Sequence, residues 1–192
     1  LSLHDALPIL DTVLLTHAHP DHIGGLLDGN GEAVYPRAQL YLHPLEVAYW
    51  QNDEYLAQAN ERRQLNFARV RQTLAVYGPR VHFLDDKPIV KGISAIPLPG
   101  HTPGHTGFRI DAADMSLLIW GDIVHFPHIQ TARPEVMVAF DIDPIQAQAS
   151  RKEIMAQVAE DELLVAGMHF SGSGFAQLIP AESGYRIVYS AA

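Results

Sequence analysis

The run Thr16-His17-Ala18-His19-Pro20-Asp21-His22 follows directly on Thr12-Val13-Leu14-Leu15, a β-branched apolar stretch that reads as a buried strand. Four side chains able to bind a metal therefore fall within six residues at a strand end. In extended backbone alternate side chains share a face, so His17 and His19 point the same way and can reach one ion. Asp21 and His22 fall where the chain turns into a helix before Gly24-Gly25, where they can face a second ion. Imidazole and carboxylate suit zinc and also accept manganese, iron or cobalt. A solvated turn that happens to be rich in histidine is the bland alternative, and the sequence downstream decides against it.

Three further strand ends deliver the same chemistry. Pro97-Leu98-Pro99-Gly100-His101 sets His101 on a loop fixed by Gly and Pro, and Ile119-Trp120-Gly121-Asp122 places a carboxylate after a glycine that permits close backbone approach. Ala166-Gly167-Met168-His169 repeats the arrangement. Each alone is weak, because a single histidine after a strand is more often structural. Four strand ends each carrying ligands make a coherent site. With no cysteine in the chain, no disulfide, thiolate zinc site or thiol nucleophile is available, so metal and catalytic work falls to His, Asp and Glu.

The 192 residues are a prior for one domain, and a folded chain of this size buries roughly 70% of its unfolded surface. A hydrophobic fraction of 47% with 18% charged residues excludes a disordered tail. No apolar run approaches the ~20 residues of a membrane helix. A net charge of −9 argues against binding a phosphate backbone, so neither nucleic acid nor membrane is an expected partner. Residues 1–11 read as a non-native or disordered start without the marks of a signal peptide, and 12–192 as a single domain. Cytoplasm and periplasm both stay open.

Strands are expected near 12–16, 39–42, 81–84, 93–98, 106–110, 116–120, 163–166, 175–179 and 185–190. Helices are expected from Pro44 to about Gln51, from an Asn60 cap to about Tyr77, and from Asp143-Pro144 to about Glu160. Phe67, Val70, Leu74 and Tyr77 mark the buried stripe of the second helix.

The order His-x-His-x-Asp-His, then His101, Gly121-Asp122 and Gly167-x-His169 resembles the metallo-β-lactamase superfamily, over about residues 12–190. Trp120-Gly121-Asp122-Ile123-Val124-His125, Gln130-x-x-Arg133-Pro134-Glu135, Phe140-Asp141-x-Asp143-Pro144 and the helix start from Ala147 to Arg151 resemble its methyl parathion hydrolase-like branch. The resemblance implies an α+β fold, a four-layer αββα sandwich, here lacking its N-terminal strands. It implies two divalent ions, zinc first. His17, His19 and His101 would hold one ion, Asp21, His22 and His169 the other, and Asp122 would bridge them. Phe170-Ser171-Gly172-Ser173-Gly174 departs from the proline-containing stretch of that branch.

That site would use a metal-bridging hydroxide on a carbonyl or phosphoryl centre, with Asp122 and Asp21 as the catalytic carboxylates. Two ions, two carboxylates and one hydroxide leave the cluster net positive, which suits an anionic transition state. Trp50 and Phe67 fall about where the branch places pocket aromatics, although helix packing explains them as well. His125 and His128 follow the bridging Asp and are candidates to line the pocket. His105 reads as a supporting or packing residue, and His43 and His82 as surface or strand-edge residues. The expected substrate is a small neutral ester, lactone or organophosphate triester. A homoserine-lactone lactonase or β-lactamase-type amide hydrolase is the second reading, and a truncated, non-catalytic metal-binding chain the third. Missing strands would leave a sheet edge exposed, from which self-association follows, a homodimer among the outcomes.

Overall fold

The structure, a computed structural model, describes residues 10–85, 87–113 and 115–191. The proposed start of the chain and His4 lie outside the described residues apart from Leu10 and Asp11. The fold contains both helices and sheets, the α+β class expected, and divides into two compact units between Leu84 and Asp85.

The first unit is built on a parallel three-stranded sheet in the order β1 (Thr12–Leu14), β2 (Gln39–Leu42), β3 (Val81–Phe83). A short helix α1 (Pro20–Ile23) follows β1, and α2 (Pro44–Trp50), α3 (Asp53–Gln58) and α4 (Glu61–Tyr77) lie between β2 and β3. Alternation in Gln39-Leu40-Tyr41-Leu42 buries Leu40 and Leu42 completely. Asn60 caps α4 as expected, its side chain accepting from Arg63 N–H at 2.9 Å. The stripe Phe67, Val70, Leu74 and Tyr77 is buried. At the start of α2, His43 Nδ1 accepts from Leu45 N–H at 3.1 Å. Burial pushes the His43 imidazole below its usual pKa, which favours the neutral ring this cap needs. Helix α3 was not expected: Asn52 caps it, but none of its residues is buried, so it carries no apolar stripe to read.

The second unit holds a six-stranded sheet in the order β4 (Ile93–Pro97), β5 (Thr106–Asp111), β6 (Ser116–Ile119), β7 (Leu164–Ala166), β8 (Phe175–Pro180), β9 (Tyr185–Tyr189). All neighbours are antiparallel except β6 and β7, and that one parallel pair needs a crossover. The one-turn α5 (Pro127–Gln130) and the long α6 (Pro144–Glu160) supply it. Asp143 caps α6 by accepting from Gln146 N–H at 2.9 Å, with Pro144 at its first position. The buried side of α6, through Ala147, Ile154, Met155 and Val158, joins Leu118, Trp120, Val165 and Ala176 of the sheet in one core.

The first turn of α6 lies so close to Gly100 that a Cβ there would sit 2.0 Å from Ala147 N, at a φ of +127°. Gly100→Ala is therefore expected to destabilise the chain by about 3 kcal/mol, through overpacking and strain together. Gly172 has φ +65° with nothing within 4 Å of its Cβ position. Gly172→Ala should cost only the ~1–2 kcal/mol of a left-handed residue. Denaturant midpoints measured side by side check the order, and equal losses would contradict it.

Candidate metal centre

In the first unit, β1 ends where Leu15 N–H donates to Tyr41 O at 2.9 Å, and the chain then leaves the sheet. His19 is the N-cap of α1, with Pro20 at the first helical position. This turn folds the histidines together. His17, fully buried, has its Nε2 3.1 Å from His19 Nδ1, and its ring centroid is 4.0 Å from that of His22. Asp21 is two-thirds exposed, with Oδ2 3.6 Å from His22 Nε2.

The loop is held from beneath by a residue that sequence reasoning missed. Glu46, fully buried on α2, accepts from Ala18 N–H at 2.9 Å and from Trp50 Nε1–H at 3.1 Å through one carboxylate oxygen. The peptide between His17 and His19 is thereby pinned to a helix. Trp50 is buried as well, its ring 5.8 Å edge-on from His19 and 4.8 Å from the fully buried Phe67. These two aromatics pack behind the histidine loop and expose no face. The Glu46/Trp50 spacing of i, i+4 was the one available sign of their pairing.

In the second unit three imidazoles gather on one carboxylate oxygen. Asp122 Oδ2 lies 3.1 Å from His169 Nε2, 3.5 Å from His125 Nδ1 and 3.7 Å from His101 Nε2. Ligands bound at about 2.0–2.1 Å around a tetrahedral zinc stand roughly 3.3 Å apart, so these separations match the edges of a coordination shell. The donor set, neutral imidazole with carboxylate, is the one borderline divalent ions prefer.

Each donor is oriented by a further residue. His101 Nδ1 is 2.9 Å from Asp141 Oδ1, an arrangement that places the ring proton on Nδ1 and turns Nε2 toward Asp122. Asp122 sits on the turn Gly121–Ile123, where Gly121 adopts φ +58°. Asp122 N–H donates to His105 Nε2 at 3.0 Å, so His105 carries its proton on Nδ1 and can donate to Leu98 O at 3.1 Å. His105 is thus the supporting residue expected. Gln130 Oε1 accepts from the backbone N–H of His125 and Phe126 at 2.7 and 2.9 Å, which fixes the loop after Asp122. His169 follows Gly167, where a Cβ would meet Trp120 Nε1 at 2.5 Å. His128 stands apart from these donors: its ring is 5.5 Å from Tyr189, and it lines a concavity with Glu182, Tyr185 and Arg186.

The sequence profile of the metallo-beta-lactamase superfamily matches residues 3–169. The chain belongs to the metallo-beta-lactamase superfamily. Two proteins named as probable metallo-hydrolases, from Mycobacterium bovis and Mycobacterium tuberculosis, are each 31% identical over 117 residues. That match covers 57% of this chain and 36% of each relative. Among solved structures, the hydrolase AbOPH of the beta lactamase superfamily is 30% identical with a TM-score of 0.83. AidC, a dizinc quorum-quenching lactonase, is 26% identical with a TM-score of 0.87. Each of these two superpositions covers 94% of this chain and 64% of the other, so the chain spans just under two thirds of those structures. The α+β metallo-β-lactamase fold that the resemblance implied is therefore the fold of this superfamily member.

Asp141 has a second contact, Oδ2 at 3.5 Å from Nη2 of Arg151, and both side chains are without exposed surface. Asp141→Ala should cost about 3–5 kcal/mol, because it leaves a buried guanidinium without its charge partner. Zinc affinity should fall about 10–100-fold as His101 loses its orienting group. Urea titration and a zinc competition assay on the same variant check both, and an unchanged zinc affinity would show that His101 needs no such support.

Proposed function

We propose that this chain is a metal-dependent hydrolase that works with two divalent ions, zinc first. His17, His19 and His101 would hold one ion, Asp21, His22 and His169 the other, with Asp122 shared between them. When bound, such ions supply Lewis acidity and a water whose pKa is lowered to near ~7. The observation that carries the reading is the convergence of three imidazole nitrogens within 3.1–3.7 Å of Asp122 Oδ2.

The chain's own residues are suited to that task. Asp122 is nearly buried and held through its backbone by His105, so its carboxylate keeps a fixed direction. His101 is locked by Asp141. Asp21 is exposed, so its carboxylate meets solvent at the edge of the histidine loop.

The methyl parathion hydrolase-like branch is the narrower assignment, with a small neutral ester, lactone or organophosphate triester as substrate. It gains support from the roles that Gln130 and Asp141 take beneath the site, since both lie in the segments that carry the branch resemblance. A homoserine lactone is the second reading, favoured by the similarity to AidC, a dizinc quorum-quenching lactonase solved in complex with a product, N-hexanoyl-L-homoserine.

A panel of an aryl ester, an aryl phosphotriester, an N-acyl homoserine lactone and a β-lactam, each assayed before and after chelation, tests the proposal. Turnover of at least one substrate should vanish with chelator, return with zinc, and fall by at least ~10³-fold in kcat/KM for Asp122→Ala. The preferred substrate then selects the branch. Metal bound without turnover of any would favour a non-catalytic metal-binding chain, and turnover indifferent to chelation would sink the proposal.

A further inference from the structure

We propose that His125 is a metal donor in its own right, an eighth protein ligand beside Asp122 and His169. This rests on the reading that Asp122 and His169 hold a divalent ion. Ligand atoms of Asp122, His125 and His169 all lie within 4.8 Å of one another.

Two facts separate His125 from an ordinary pocket residue. Its Nδ1 is buried and, among the described residues, has no hydrogen-bond partner. Leaving a buried polar nitrogen unsatisfied is unfavourable, so such a nitrogen calls for something to fill its lone pair. Asp122 Oδ2 is 3.5 Å away, well beyond the ~2.7–2.9 Å of a charge-assisted hydrogen bond. Two groups that face each other at that distance without bonding are placed as co-ligands of a common partner. A cation between them would fill the lone pair of His125 Nδ1.

The position is built. Gln130 fixes the backbone of His125 through its N–H, and the i, i+3 spacing from Asp122 across the Gly121–Ile123 turn brings the imidazole back over the carboxylate. Phe126 and Phe140 lie 5.1 and 5.2 Å from the ring, and His169 lies 3.7 Å from it, so the imidazole is walled in on several sides. An added neutral imidazole makes this end of the site richer in nitrogen and favours zinc or cobalt over magnesium or calcium.

Cobalt(II) titration of the full chain, followed by its visible absorption, tests the inference. His125→Phe keeps a ring between Phe126 and Phe140 without a donor, and His125→Ala removes the ring. Either variant should bind one cobalt about tenfold or more weakly, with an altered visible band and an unchanged far-ultraviolet dichroism. In the wild-type protein, cadmium-113 loaded into chain carrying nitrogen-15 histidine should couple to the His125 ring as well as to the other histidine donors. This reading needs no variant to fold. If both His125 variants match wild type in affinity and spectrum, or the coupling is missing, the inference falls. If Asp122→Ala also retains full cobalt affinity, the underlying metal reading falls with it.

Discussion

Arg151 is a guanidinium with no exposed surface, and the geometry of the second unit depends on how its charge is compensated. From the middle of α6, its Nε donates to Ile123 O at 2.6 Å and its Nη1 to Pro134 O and Val136 O at 2.8 and 3.1 Å. Its remaining nitrogen faces Asp141. Burial pushes the guanidinium below its usual pKa and the Asp141 charge pulls it back. Desolvating an ion is tolerable only when its donors are filled, and here they are filled by carbonyls of irregular loop. Loop backbone that could have been mobile is fastened to a helix. Ile123 is the residue after Asp122, and Asp141 is the residue that orients His101. One buried cation thus positions a carboxylate donor and an imidazole donor from the same anchor.

The first unit solves the same problem with a buried carboxyl group. Glu46 on α2 accepts from the backbone N–H of Ala18 and so fixes the loop that carries His17 and His19. In both units the candidate ligands lie on irregular backbone at strand ends, and a buried polar side chain on the adjoining helix supplies the hydrogen bonds that a sheet would otherwise provide. Such supports keep donors close to a coordination shell before any ion arrives, which lowers the ordering cost of binding. Glycine serves the same end where space is the constraint. Gly100 admits α6 against the His101 loop, and Gly167 admits the Trp120 ring beside the His169 turn.

The strand-end ligands were legible because they are local. Strand runs, proline and glycine punctuation, and the caps at Asn60 and Asp143 all act within a few residues, and the elements they mark appear within one or two residues of expectation. Glu46, Gln130 and Arg151 were not legible in these roles. Their partners are backbone groups up to 28 residues away in sequence, and a carbonyl or N–H leaves no mark in a side-chain pattern. The resemblance had singled out Asp141 and Gln130 as motif residues without saying what they touch. Trp50 and Phe67 were read either as pocket aromatics or as helix packing, and both are buried beneath the histidine loop. His125 and His128 were read alike from sequence, yet the first precedes a one-turn helix and lies against Asp122, while the second sits inside that helix and faces Tyr189.

The most direct test of the account is a crystal structure of the zinc-loaded chain with anomalous data collected at the zinc edge. The account predicts two anomalous peaks, one of them within bonding distance of both Asp122 Oδ2 and His169 Nε2, with Arg151 and Asp141 in the positions described. A map with no peak at Asp122, or with Asp122 turned away while zinc sits elsewhere, would contradict it.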